Sequence, residues 1–409
     1  MEYMAISGRV IMNKMKFLSV NLIFLPFISS VYANNMSVQC SQNETGERLE
    51  RNGFTYLVVN NESIREEELL TELEQGRLSF CTSHVTDMSY LFRNRTQFNR
   101  DISDWDTSNV KNMQGMFYNA RVFNHDIGQW DTSKVDDMSG MFTLAKDFNQ
   151  DINEWDTSYV YNMSKMFYSA SSFNQPLGRW DTSSVVNMNA MFSYAEQFNQ
   201  DISGWDTSNV FAMHSMFRGA KQFNQSIGGW NISNVLRTDR MFQDAGSFNQ
   251  YIGDWNTGKV WYMDAMFFGA DQFNQDISRW DTSNVKNIAY MFSGASVFNQ
   301  AIGQWDTHNV TVMRSTFSDA NAFDHDIQDW NTSKVKDMSF MFTRNHAFNR
   351  PLAHWDTSNV VEMEGMFERS TAFDQNLNVW NVDKVTKYKN FARESRLVDS
   401  QLPVFIEVD

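Results

Sequence analysis

A chain of 409 residues with 49 acidic against 34 basic side chains carries a formal charge of −15. That balance excludes a general attraction to nucleic acid, which needs a basic face, and fits a soluble surface that repels its own copies. Length alone suggests two or three domains, but 25 Met, 34 Phe and 13 Trp point to a few residue types used again and again in one repeated unit.

In chain order, residues 1–33 are read as a secretory signal peptide. Lys14 and Lys16 form a small basic start, F-L-S-V-N-L-I-F-L-P-F-I is the apolar core, and Val31-Tyr32-Ala33 fits a cleavage site. The apolar run is too short, and too polar at Ser19 and Asn21, for a stable membrane span. Met12 is an alternative start, because the residues before it add nothing to a signal. No Cys follows the cleavage point, so lipid attachment there is not expected. The mature chain is expected to be secreted or held at the cell surface, without a membrane span.

Residues 34–84 lack the repeat and are expected to form an N-terminal cap over the open apolar face of the first unit. Within them T-Y-L-V-V reads as a strand flanked by turn residues. E-S-I-R-E-E-E-L-L-T-E-L-E reads as an acidic helix with Ile64, Leu69, Leu70 and Leu73 on one side. The chain's two cysteines, Cys40 and Cys81, both lie here, and in an exported protein such a pair reads as a disulfide.

From 85 to 388 the chain is a tandem array. Trp105, Trp130, Trp155 and nine further Trp residues through Trp380 fall 25 residues apart without an insertion or deletion. In each unit Val follows five residues after Trp, then usually Met, then the pair M-F, then Ala, Phe and Asn, as in Val110, Met113, Met116-Phe117, Ala120, Phe123 and Asn124. The spacing of Val110, Met113, Met116, Phe117 and Ala120 predicts one apolar stripe of a short helix, with D-T-S before it as a cap. The other half, F-N-Q-D-I-S-x-W, predicts a short or bent strand. Strands stack ~4.8 Å apart while helices need roughly 8–10 Å, so the expected fold is a curved α/β solenoid, horseshoe-like and leucine-rich-repeat-like, of about twelve coils.

Two polar positions repeat with Asn and Asp interchanged. One follows Phe (Asn99 to Asn349, with Asp324 and Asp374) and one follows Trp (Asp in most units, but Asn231, Asn256, Asn331 and Asn381). What the two side chains share is an acceptor oxygen, so both positions are expected to bind backbone N–H groups of their own turn. A ladder of metal-binding Asp is the less fitting reading, because free Asp/Asn exchange does not suit a site tuned by ligand charge. No cofactor or metal is expected.

The array holds no G-x-S-x-G, H-E-x-x-H or phosphate-cradling glycine loop. Among the seven His, His125 and His325 share a phase but lie eight coils, ~40 Å, apart. Residues 389–409 form a C-terminal cap in which Leu397, Leu402, Val404 and Ile406 cover the last coil.

The unit W-D-T-S-N-V-x-x-M-x-x-M-F-x-x-A-x-x-F-N-Q-D-I-S, together with the opening C-T-S-H-V-T-D-M-S-Y-L-F at 81–92, resembles the repeat of BspA-like bacterial surface proteins, usually grouped with leucine-rich-repeat proteins. The resemblance implies an exported protein used for adhesion or protein interaction, with no catalytic residues to carry over. Two functions follow as expectations. The first is a non-catalytic extracellular scaffold for a protein or cell-surface ligand. It reads its partner through the variable residue before each Trp: Asp104, Gln129, Glu154, Arg179, Gly204, Asp254 and Arg279. The alternative is a secreted glycan-acting hydrolase with an acid pair in the array or cap.

Overall fold

The computed structural model describes residues 37–51 and 53–406. The signal-peptide reading of residues 1–33 lies outside them.

The N-terminal segment is a small sheet with one crossover. Strand β1 (Arg48–Arg51) pairs antiparallel with β2 (Phe54–Asn60), and β2 pairs in parallel with β3 (Ser79–His84). A parallel pair needs a crossover connection, and helix α1 (Glu67–Glu74) supplies it. Ile64, Leu70 and Leu73 are buried as the stripe required, and Leu69 is half-buried. They join Leu57, Val59 and Phe80 in a core continuous with that of the first repeats. Cys40 and Cys81 are disulfide-bonded, closing a separation of 41 residues.

The repeats contain no helix: among the described residues α1 is the only α-helix, and two short 3₁₀ turns, Ser63–Arg65 and Asp399–Gln401, lie outside the array. The stretch expected to be helical is a run of turns. Met116, Tyr118 and Ala120 donate their N–H groups three residues back, to Met113, Gly115 and Phe117. The alternate N–H groups, those of Met113, Gly115, Phe117 and Asn119, leave the coil and donate to Asp137, Ser139, Met141 and Thr143 of the next one. What blocks the helix is backbone handedness at two positions per unit. Gly115 and Asn119 have φ of +57° and +59°, and the same two places are left-handed in most other units, as at Lys165 and Ser169. A left-handed L-residue costs about 1–2 kcal/mol. It persists here because it turns a donor onto the neighbouring coil, where a backbone acceptor waits.

The expected strand half is also corrected. Residues of F-N-Q-D-I-S form no strand, and the parallel bridges fall in the other half, at Asp87, Asn112, Asp137 and every equivalent position through Lys387. Beside them runs an unbroken backbone ladder: Lys111 donates to Thr86, Asp136 to Lys111, Tyr161 to Asp136, and so on to Thr386. Neighbouring repeats are therefore stacked in register, one coil per repeat. The curvature expected from helices packed outside strands loses its ground, since the array has no helices.

Inside the stack each kept apolar position becomes a ladder. Trp105 and Trp130 lie 6.5 Å apart with rings 7° from parallel, and Phe117 stacks on Phe123 of its own coil at 4.0 Å and on Phe142 of the next at 5.5 Å. Aromatic pairs in this range add about 0.5–1.5 kcal/mol beyond burial. Each indole N–H of this 25-residue series from Trp130 to Trp380 is satisfied by a carbonyl of the coil before, as Trp205 Nε1 is by Leu177 at 3.0 Å.

The polar ladders use the acceptor oxygens in two ways. After Trp, Asp106 Oδ1 accepts the N–H of Ser108, two residues on, within its own turn, and Asn331 does the same for Ser333. After Phe the bond crosses coils: Asn99 Oδ1 accepts from the backbone of Asn124, Asn124 from Asn149, and Asp324 from Asn349. That position therefore serves the neighbour's turn, not its own. The Thr of D-T-S caps nothing; its hydroxyl donates to the next coil, as Thr107 does to Asp131.

At the far end Leu397, Leu402 and Phe405 pack on the last coil, with Phe405 stacked on Tyr388 at 4.4 Å. Val404 and Ile406, expected to share that task, face solvent, because the extended end of the chain turns Phe405 inward between them.

Candidate functional site

The column of residues before each Trp lies on the surface, as a recognition column must. Gln129, Glu154, Arg179, Gly204, Asp254 and Arg279 are all exposed. The coils nevertheless pair these residues with one another. Arg179 is ion-paired to Glu154 and Arg279 reaches Asp254 at 3.5 Å, while Tyr251 also donates to Asp254 at 2.9 Å. Asp104 is different. It is half-buried under the N-terminal segment, where the Tyr56 hydroxyl donates to its carboxylate at 2.6 Å and Val38 donates to its carbonyl. Burial holds the Asp104 carboxyl above the usual range, Asp101 adds to the shift, and the bond from Tyr56 opposes it. Asp104 thus joins cap to array and is not free for a partner.

A different column stands out. The residue after each kept Val belongs to the backbone ladder, and in half of the twelve coils it is polar: Lys111, Asp136, Lys286, Thr311, Lys336 and Thr386, with an isolated apolar Val361 near the end. In five consecutive coils it is Tyr161, Val186, Phe211, Leu236 and Trp261. Tyr161, Phe211, Leu236 and Trp261 are 42–49% exposed, and Tyr159 beside them is 70% exposed. The ladder fixes their spacing, because Val186 donates to Tyr161, Phe211 to Val186, Leu236 to Phe211 and Trp261 to Leu236. Isolated exposed apolar side chains are ordinary, whereas a contiguous row marks an interaction site. The Lys286 ammonium closes the row, 4.4 Å from the Trp261 ring centroid. Reading each column for its usual residue hides this row. Following the column coil by coil exposes it.

Next to the row the surface carries positive charge. Arg237 is bidentate on the buried Asp239 at 2.8 and 3.1 Å and lies 5.2 Å from the Tyr262 ring centroid. Arg218 sits over Tyr194 at 5.3 Å. Gly219 is required under that ring, since a Cβ there would fall 2.5 Å from Tyr194. Burial keeps the His214 imidazole below its usual range, and burial, then the Asp239 charge, raises the Asp264 carboxyl. Arg218, Arg240, Gln243, Asp264, Phe268 and Tyr290 line an open groove of about 380 Å³. Among the described residues no cluster of three His, Cys, Asp or Glu side chains is arranged to hold a metal ion, and no helix is long and apolar enough to cross a membrane.

Compared with known proteins, the array matches the family described as "Mycoplasma protein of unknown function, DUF285" in four overlapping stretches, 65–175, 147–250, 226–318 and 298–405. The chain belongs to this family. The matches are tandem and together span residues 65–405, which takes in the whole repeat array. No curated protein and no solved structure matches the chain.

Proposed function

We propose that this family member is a non-catalytic binding scaffold: an elongated solenoid, exported and working at the cell surface or after release, that recognises a protein ligand. The observation that carries the reading is the row Tyr161–Val186–Phe211–Leu236–Trp261, apolar side chains held by a backbone ladder on five successive coils, all but the half-buried Val186 exposed to solvent. Large rings on a rigid frame lose little entropy on binding, and Trp and Tyr are the residues enriched where binding energy concentrates. Two further points support the reading. The Cys40–Cys81 disulfide suits an oxidising compartment, and the repeat resembles that of BspA-like surface proteins, a finer kinship than the family match carries.

The test is site-specific photocrosslinking in producing cells, with a photoreactive phenylalanine at position 211 or, as control, at 304 in the pre-Trp column. The expected result is a discrete protein adduct from 211 and none from 304. Adducts from neither position, or equally from both, would remove the row as the binding surface. Turnover of a polysaccharide by the purified chain would replace the scaffold with the hydrolase.

A further inference from the structure

Several arginines of the array are answered by a carboxylate one coil away: Arg344 is bidentate on Asp319, Arg350 pairs with Asp324, and Arg369 with Glu394. In the groove beside Trp261 the pattern breaks. Neither Arg218 nor Arg240 has a side-chain hydrogen bond or a carboxylate within 4.0 Å among the described residues. Arg218 Nε is also shut from solvent with no acceptor, which leaves a desolvated donor uncompensated. Of the negative groups nearby, Asp239 is neutralised by the bidentate Arg237, and the Asp264 carboxyl is raised by burial and then by Asp239, with the Arg240 and Arg237 charges opposing the shift. Lys286, which precedes Asn287 of the groove lining, lies against Trp261. A chain of net charge −15 thus gathers three cations, Arg218, Arg240 and Lys286, that form no ion pair among the described residues, on or next to the coils that carry the end of the apolar row.

We propose that the groove receives an acidic side chain of a partner protein whose apolar segment lies along Tyr161 to Trp261. This rests on the scaffold reading above and adds the partner's chemistry. Two guanidinium groups suit a carboxylate, because charge-assisted bonds to a planar fork are strong and oriented. The middle of the row decides between a protein and an acidic glycan. Val186, Phe211 and Leu236 offer no side-chain hydrogen bonds, whereas a sugar chain there would bury hydroxyl groups without partners. An apolar peptide face loses nothing.

The experiment uses the full chain and fluorescence anisotropy with synthetic peptides of matched length. One alternates Leu and Phe with Glu, one carries Lys for Glu, and one carries Ser for Leu and Phe; polygalacturonate is the acidic-glycan probe. Only the first peptide is expected to bind, more weakly as salt rises. Arg218→Gln with Arg240→Gln should weaken it about tenfold or more, Arg218→Lys with Arg240→Lys should restore part of the loss, and Phe211→Ala or Trp261→Ala should also weaken it. If the Gln pair changes nothing while Phe211→Ala and Trp261→Ala still weaken binding, the acidic-group assignment is overturned and the scaffold reading stands. If the Lys peptide binds as well as the Glu peptide, or no peptide binds, the proposal is overturned. If polygalacturonate binds and only the Arg variants lose it, the occupant is a glycan and the protein assignment fails. Unchanged circular dichroism of each variant separates lost binding from lost fold.

Discussion

The residue before each Trp and the residue after each Val make two columns of the same array, both variable and both largely exposed, yet they behave oppositely. Before Trp, charge meets opposite charge across the coils, as Glu154 meets Arg179 and Asp254 meets Arg279. After Val, five coils in sequence carry apolar groups, four of them 42–49% exposed, with only the Lys286 ammonium set against the last. Variation alone therefore does not identify a recognition surface. The better criterion is whether the molecule already satisfies the groups it displays.

The comparison can be broken from the inside outward. Trp205 is 4% exposed, stacked between Trp180 and Trp230 at 6.3 Å and hydrogen-bonded to Leu177. Trp205→Ala should cost about 3–5 kcal/mol in chemical denaturation. A loss as small as that of a surface change would mean that neither exposed column rests on a rigid frame. Removing the disulfide with Cys40→Ser and Cys81→Ser should cost about 3–4 kcal/mol by loop-closure entropy, read from the same transition. Trp261→Ala sharpens the contrast. It should leave stability within about 0.5 kcal/mol while weakening partner binding by about 2 kcal/mol or more, as expected of a central anchor.

Two smaller effects test the paired column. The folded-state pKa of Asp104 is raised, chiefly by burial. Its contribution to stability is thus fully present below about pH 4 and is lost as pH climbs through the raised value. Stability of the native chain should fall over that window relative to Asp104→Asn, which keeps an acceptor for Tyr56 without a charge. Parallel curves for the two proteins would show that the carboxyl ionises freely. Arg179→Glu with Arg279→Glu should cost about 0.2–1 kcal/mol per exposed pair and leave partner capture unchanged. Loss of capture would return recognition to the pre-Trp column.

Much of the interior was legible because the chain carries its own alignment: the period, the buried Trp, Phe, Met and Val columns, the strand at T-Y-L-V-V, the acidic helix and the cysteine pair. The helix was misread because Val110, Met113, Met116, Phe117 and Ala120 suit a run of turns as well as a helical stripe, since in both they end up inside. The missed signal was Gly115, Gly140, Gly365 and Asn119, residues that tolerate left-handed φ, recurring where a helix would disfavour them. The Asn99 ladder was read as an acceptor but assigned to its own turn, because a single unit cannot show which coil supplies the donor. The apolar row was overlooked since it occupies five coils of the array and vanishes in the consensus.

The Trp ladder also makes the array an optical object. Eight neighbouring indole pairs lie 6.3–6.5 Å apart with rings within 8° of parallel. At that separation an absorbed ultraviolet photon belongs to no single ring. The transitions couple, and excitation hops along the stack before it is emitted. Trp261, the one indole outside the ladder, should act as a solvent-facing trap, so that a ligand settling on it changes the emission of the whole stack.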